Sequence, residues 1–298
     1  MNDPKRLLGP IRVPFLVLTP ACVLLGAGTA LWSQGKINVW YLALALVGAV
    51  AAHISVNALN EYFDFRSGLD LRTRRTPFSG GSGTLPLDPE MERPALVIGL
   101  MALAVASVVG AFFLLVWGWA LLPVGLLGLV LIVSYTGWIT RYPLLCLIAP
   151  GLGFGLFMVM GTGFVLTGGY TPTAFVASLV PFFLVNDLLL LNQFPDLEAD
   201  ETVGRRHLPI VIGRRTSSMI YGDFLVAAHL SIVVGVALGL LPFASLLGLL
   251  TLVLAVPSAL GAYRYADDLE KLAPYMGYNV LMNVATPVLM AIGLFIGV

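Results

Sequence analysis

Long apolar stretches, each about the length of a bilayer-spanning helix, alternate along this chain with short polar connections. A hydrocarbon core about 30 Å thick takes roughly 20 apolar residues in helical form. Nine stretches meet that length: 13–32, 40–60, 95–117, 119–138, 145–167, 174–194, 218–240, 243–263 and 278–297. The third and fourth part only at Trp117-Gly118-Trp119, which reads as a tight turn with interfacial aromatics. Pro123, Pro150, Pro181, Pro257 and Pro287 fall inside the stretches and are expected to kink them against neighbours. The longest polar segment, about 64–94, is loop-sized, so residues 1–298 read as a single integral-membrane domain. The expected fold is all-α, with nine transmembrane helices.

Charge tests that count independently. With the N-terminus in the cytoplasm, all sixteen Lys and Arg residues except Lys36 fall in the N-terminal tail or in cytoplasmic loops. This is the positive-inside pattern, and one helix more or fewer would scramble it. The outer loops are nearly bare, so function is expected on the cytoplasmic side of a cell membrane. Composition agrees. Of 298 residues, 58% are hydrophobic and 11% charged, against roughly 25% charged in a soluble domain, so the excess apolar surface must face lipid. Sixteen basic residues balance sixteen acidic ones, which points to no nucleic-acid partner. Lys5, Arg6 and Arg12 precede the first apolar run as in a signal peptide, but that run is long and similar runs recur, so it reads as a retained helix. Cys22 and Cys146 lie in apolar stretches and read as small buried hydrophobes. His53, His207 and His229 are too scattered for a zinc motif.

Polar residues gather at two corresponding places. The second span runs into Asn60-Glu61-Tyr62-Phe63-Asp64-Phe65-Arg66-Ser67-Gly68-Leu69-Asp70, and the sixth into Asn192-Gln193-Phe194-Pro195-Asp196-Leu197-Glu198-Ala199-Asp200. Both set Asn and Asp four apart, and Asn60 to Asn192 is the same separation as Asp64 to Asp196. Positions i, i+4 and i+8 share a helix face, so Asn60 converges with Asp64, and Asn192 with Asp196 and Asp200. Asp70 is off that face, so its helix is expected to end near Gly68 and the chain to turn back. Pro195 interrupts hydrogen bonding in the other cluster, so Asp196 and Asp200 are expected to begin a fresh short helix.

Four aspartates crowded where water meets lipid raise each other's pKa. A hard divalent cation removes that cost, and Mg²⁺ favours a few carboxylates plus phosphate oxygens. Arg66, Arg72, Arg74, Arg75, Arg141, Arg205 and Arg206 lie around the clusters in sequence and suit bidentate phosphate contact. A single charge at a helix end is ordinarily a solvated cap or a topology signal; two clusters of matched spacing argue for more. Together they describe a site for an amphiphile with a diphosphate head. The Gly80-Gly81-Ser82-Gly83 run offers backbone N–H groups to phosphate, though a flexible loop is the better explanation. Gly151, Gly153 and Gly155 suit close helix packing.

At these clusters the chain resembles the UbiA superfamily of membrane prenyltransferases. The likeness rests on Asn60-x-x-x-Asp64 after the second helix, Asp196-x-x-x-Asp200 after the sixth, and the nine helices, and it covers essentially the whole chain. It implies that Mg²⁺ and an isoprenoid diphosphate are bound by Asp64, Asp70, Asp196 and Asp200 with Asn60 and Asn192. It also implies that the helices surround a central cavity, open to membrane lipid, that admits the prenyl tail. The finer spacing Asn60-x3-Asp64-x3-Gly68-x-Asp70 resembles the branch that acts on 1,4-dihydroxy-2-naphthoate in menaquinone biosynthesis; the 4-hydroxybenzoate branch sets its last Asp four beyond the middle one. Asp196 to Arg206 followed by Leu208-Pro209, and Gly161 to Gly168, are also similar to the naphthoate branch. Three features depart from it. Glu61 stands where Asp is common, and His207 where Thr is common. After Tyr135-Thr136, the stretch Arg141-Tyr142-Pro143-Leu144 replaces a usual Gly-Leu-Gly-Glu segment, near where the acceptor is handled.

The implied activity is Mg²⁺-dependent transfer of a polyprenyl group to a small aromatic acceptor, with Asp64 and Asp196 central. The ring faces of Tyr62, Phe63 and Tyr135 are candidates to stabilise an allylic cation. Asp187 lies well inside the sixth span, where an acid facing lipid costs at least about 2.5 kcal/mol. It is therefore expected to face the cavity, as a proton acceptor, as a group polarising the acceptor, or as a structural residue. Other acceptors stand as alternatives: 4-hydroxybenzoate, homogentisate or a non-aromatic lipid. A membrane transporter is the rival class, since broken helices and intramembrane polar residues suit one.

Overall fold

Capping chemistry sets where the helices begin. Asn38 Oδ1 accepts from the N–H groups of Trp40 and Tyr41 at 3.0 and 3.2 Å, and Thr171 Oγ1 from that of Ala174 at 3.1 Å, each satisfying donors that a first helical turn leaves free. The computed structural model describes residues 4–73 and 75–298, so Arg74 and the side chains of Lys5 and Arg6 lie outside the described residues. Among the described residues the secondary structure is entirely helical. Eight helices are long and apolar enough to cross a membrane, and a shorter apolar one stands where the fourth span was expected. In chain order they are α1 (Leu7–Gln34), α2 (Val39–Ser67), α3 (Pro89–Trp117), the shorter α4 (Trp119–Ser134), α5 (Pro143–Thr167), α6 (Pro172–Thr202), α7 (Leu208–Ala237), α8 (Phe243–Arg264) and α9 (Leu269–Ile296).

Each helix packs on its sequence neighbours, α2 on α3 and α6 on α7, while α9 returns to lie along both α1 and α6. Of an apolar 18-residue stretch, 67% is buried in α6 and only 17% in α3, so α6 runs through the middle and α3 along the rim. Glycines let α5 meet α6 closely. A Cβ on Gly151 would lie 2.2 Å from the Phe182 carbonyl oxygen, and one on Gly155 2.5 Å from the Phe182 nitrogen. Gly153 makes only ordinary contact, with Leu131. After Pro150 the helix widens to π-helical turns over Leu152–Met160, and the Gly151 N–H donates to Asn186 Oδ1 at 2.6 Å.

The two helices that carry the acidic clusters end differently. α2 stops at Gly68 (φ 77°), as expected, and the Leu69 N–H turns back to the Asp64 carbonyl at 3.0 Å. The fresh helix expected at Pro195 does not occur: α6 continues through it to Thr202. Proline removes one donor from the ladder but leaves the bonds on either side. Arg214 of α7 supports the segment from outside, donating Nε to the Phe194 carbonyl at 3.0 Å.

Candidate active site

The C-terminal ends of α2 and α6 open onto one cavity of about 1030 Å³. Asn60, Asp64 and Asp70 line it from one side, and Asn192, Asp196 and Asp200 from the other. Helical spacing aligns Asn60 with Asp64. The turn at Gly68 returns Asp70 beside them, because only a left-handed residue reverses the chain so abruptly. No heavy atom comes within 4 Å of a Cβ built on Gly68, so backbone conformation alone calls for glycine there.

One guanidinium joins the halves. Arg205, just beyond α6, donates Nη2 to Asp64 Oδ1 and Nη1 to Asp200 Oδ1, the latter at 2.9 Å. Burial of this guanidinium opposes its charge, but Asp64 and Asp200 more than offset that and hold it above the usual arginine range. Asp200 Oδ2 meets His207 Nε2 at 2.8 Å. Asp64 and Asp200 are thus neutralised within the protein. The other two acids are not: Asp70 Oδ2 and Asp196 Oδ1, like the amide oxygen of Asn192, are buried without a hydrogen-bond partner. Burial, and then the charges of Asp64 and Glu61, push the Asp70 carboxyl up to about 7.

Among the described residues no three His, Cys, Asp or Glu side chains form a ready-made metal cage. Mg²⁺ does not require one, since it binds through one or two carboxylates and takes its remaining oxygens from substrate phosphate and water. Unpartnered hard oxygens on both sides of one cavity, beside a carboxyl whose ionisation is disfavoured, fit that ion.

Two residues of the site were not singled out from the sequence. Arg12 lines the cavity, donating Nε to Glu61 Oε1 at 2.7 Å and Nη2 to Asn60 Oδ1 at 3.0 Å. Its left-handed backbone (φ 54°) marks the bend that aims it there. Glu61 is fully buried and also accepts from Ser82 N–H at 2.7 Å and Ser82 Oγ at 2.8 Å. The glycine run is therefore folded over the cavity rather than loose: Gly80 N–H donates to Asp196 Oδ2 at 3.2 Å while Ser82 is tied to Glu61. A mid-sequence glutamate and an arginine in an N-terminal tail gave no spacing signal that linked them.

Tyr135 lines the cavity with Thr140, Cys146, Gln193 and His207. Tyr62 and Phe63 do not, and neither do Arg66, Arg72, Arg141 and Arg206. Arg66 instead donates to Tyr62 Oη at 2.9 Å and faces Glu92 at 3.8 Å, while Arg72, Arg141 and Arg206 are exposed. Asp187, expected at the cavity, is fully buried outside its lining. It belongs to the packing around α6, where Asn279 of α9 donates to its backbone carbonyl at 3.3 Å.

Similarity to known proteins follows the same geometry. The 1,4-dihydroxy-2-naphthoate octaprenyltransferase of Bacillus subtilis (strain 168) is 27% identical over 213 residues, which span 69% of this chain and 65% of that one, a little under two thirds of its length. The digeranylgeranylglyceryl phosphate synthase of Natronomonas pharaonis is 29% identical over 225 residues, 74% of this chain and 72% of that one. The fold is similar to that of a UbiA homolog from Aeropyrum pernix K1 in its apo form (TM-score 0.71, 18% identity, 96% of this chain and 98% of that one). It is also similar to a UbiA homolog from Archaeoglobus fulgidus bound to GPP and Mg²⁺ (TM-score 0.58, 13% identity, 96% and 99%). The model of the UbiA prenyltransferase family matches residues 20–286, nearly the entire length, and this chain belongs to that family.

Proposed function

We propose that this protein transfers a polyprenyl group from an isoprenoid diphosphate to an aromatic acceptor, preferring 1,4-dihydroxy-2-naphthoate, on the cytoplasmic side of a cell membrane. The observation that carries the reading is one cavity with the carboxylates and amides of two helix ends at one pole and apolar side chains over most of the rest. The name of the Bacillus relative supports the acceptor, and the GPP and Mg²⁺ of the Archaeoglobus homolog support the donor and the metal.

In this reading Asn60, Asp64, Asp70, Asp196 and Asp200 hold Mg²⁺, which when bound stabilises negative charge on the departing diphosphate. Arg205 and Arg12 add fixed positive charge at the same pole, already oriented by Asp64, Asp200 and Glu61. The apolar walls, among them Phe113, Leu114, Leu121 and Val165, keep water from the electron-poor allylic carbon. Tyr135 offers that carbon a ring face. No side-chain nucleophile is needed: a ring carbon of the acceptor supplies the electron pair, and diphosphate leaves with the electrons of the broken C–O bond. The naphthoate ring carbon then sheds its carboxylate as CO₂ to restore the aromatic ring.

For topology, α4 is taken as a ninth, short crossing, with the N-terminus in the cytoplasm, residues 1–298 as one domain and the cavity open to lipid. The distribution of basic residues supports this arrangement. The test is product analysis by mass spectrometry in detergent, with one labelled prenyl diphosphate offered to several acceptors with and without Mg²⁺. Metal-dependent prenylation of the naphthoate is the expected outcome; no diphosphate release under any condition would end the reading. A non-aromatic lipid acceptor is favoured instead by the similarity to the Natronomonas synthase, and the same assay decides between them. A transporter would need polar lining through the full depth, which the apolar arm argues against.

A further inference from the structure

Away from the acidic pole the cavity walls are mainly apolar, with two polar groups still lacking partners. His53 of α2 lines the cavity with its ring held from behind: Nδ1 meets Thr19 Oγ1 of α1 at 2.8 Å, and Phe154 packs edge-on at 4.7 Å between centroids. Among the described residues nothing hydrogen-bonds its Nε2. Asn283 of α9 also lines the cavity, 1% exposed. Its Nδ2 donates to the carbonyl and the side-chain oxygen of Asn279 at 3.0 and 3.2 Å, which fixes the amide orientation and leaves Oδ1 buried without a donor. By contrast, Ser107 in the same lining donates to the Leu103 carbonyl of its own helix at 2.8 Å.

The two groups lie at matching depth. The start of α6 and the end of α9 both meet the same end of α1: a Cβ on Gly163 would sit 3.2 Å from Ala174 and 3.3 Å from Thr29, and one on Gly28 3.0 Å from Leu294. Asn279 reaches Asp187, so α6 and α9 run antiparallel. Asn283, one turn beyond Asn279, then lies roughly 13 Å below Asn192 at 1.5 Å per residue, and His53 roughly 10 Å below Asn60. Phe154, Leu188 and Val280 supply apolar wall toward the acidic pole.

We propose that His53 Nε2 and Asn283 Oδ1 form the acceptor subsite, and that they select a ring carrying two hydroxyl groups. The proposal rests on the transfer reading above and assigns residues to its acceptor. Asn283 Oδ1 requires a donor. His53 Nε2 accepts from a hydroxyl in one tautomer and donates to its oxygen in the other, so a hydroxyl satisfies it either way. Apolar wall between two such groups suits a planar ring that carries two hydroxyls.

The test is calorimetric binding of 1,4-dihydroxy-2-naphthoate and of 1-hydroxy-2-naphthoate to the whole protein in detergent, which does not depend on turnover. The wild type should bind the dihydroxy ring more tightly. His53→Phe and Asn283→Leu should each weaken that binding about tenfold, the loss of one hydrogen bond, and bring the two rings to similar affinity. Affinity for geranyl diphosphate with Mg²⁺ should stay unchanged and reports an intact fold. Should His53→Phe fail to fold, Thr19→Val, which leaves the imidazole but removes its partner, should narrow the same discrimination. Variants that bind both rings as the wild type does, or a wild type that binds neither ring, overturn the subsite. A wild type that binds the ring but never prenylates it sinks the transfer reading and leaves the subsite standing.

Discussion

The ends of α2 and α6 present the same Asn and Asp, four residues apart, and complete the set by different means. At α2 the helix stops, and a left-handed glycine swings Asp70 back toward Asp64. At α6 the helix continues through a proline, so Asp200 follows Asp196 by one plain turn. Despite that difference each end keeps one acid tied to Arg205, Asp64 or Asp200, and one with an unpartnered oxygen, Asp70 or Asp196. The shared outcome is a division of labour. The tied pair fixes the distance between helices, and the free pair faces the pole where the proposed cation and diphosphate belong.

The largest effects should come from removing an acid of either kind. Asp64→Ala and Asp196→Ala are each expected to reduce Mg²⁺-dependent diphosphate release by at least about 10²–10³, the range for losing one charge-stabilising group. They should fail differently. Asp64→Ala strips Arg205 of a buried partner and should also lower the melting temperature, while Asp196→Ala loosens the contacts with Gly80 and Ser79. Near-normal turnover in either variant would remove that helix end from the mechanism. Arg205→Ala comes next. It leaves Asp64 and Asp200 buried without their shared cation, which should destabilise the fold by about 3 kcal/mol. Added Mg²⁺ should restore part of the loss; no rescue at all would mean that the two carboxylates do not share the metal's pole.

Smaller effects separate the free pair. Since the Asp70 carboxyl sits near 7 and only its ionised form attracts a cation, Mg²⁺ affinity should rise with pH through that value, roughly tenfold from pH 6 to pH 8. Asp70→Asn should make the profile shallower, and an unchanged slope would place the titration elsewhere. Gly68→Ala should cost about 1 kcal/mol in thermal unfolding through backbone conformation alone, since the added methyl meets nothing. An effect no larger than at an ordinary helix end would show that the reversal bringing Asp70 to the site is not strained.

Much of this was legible because it depends on short-range periodicity. Span lengths, the Asn-x-x-x-Asp spacing and the stop at Gly68 all follow from one turn of helix and the conformational freedom of glycine. What was not legible depends on neighbours far away in sequence. Pro195 carried the rule for breaking a helix, but Arg214 from α7 supports the turn it weakens. Arg66 and Arg141 had the right charge near the right motif, and their direction off the helix sends them elsewhere. Glu61 and Arg12 meet across about fifty positions of chain, and no local pattern announces such a pair.

Asp187 is the sharpest case of a residue whose position in sequence promised more than its surroundings deliver, and the smallest effect is expected there. It lies on the same helix as Asp196 and Asp200, deep in the span, yet outside the cavity lining, with neither carboxylate oxygen partnered. A buried carboxyl that makes no hydrogen bond contributes nothing to stability by being ionisable and costs free energy whenever it carries charge. Asn has nearly the same shape and no charge. Asp187→Asn should therefore leave turnover within about twofold and the melting temperature equal or slightly higher, because the packing it fills is kept and the desolvation cost is removed. A tenfold fall in kcat with unchanged prenyl diphosphate affinity would instead give α6 a third functional acid. The contrast between its cytoplasmic end and its middle would then have to be drawn again.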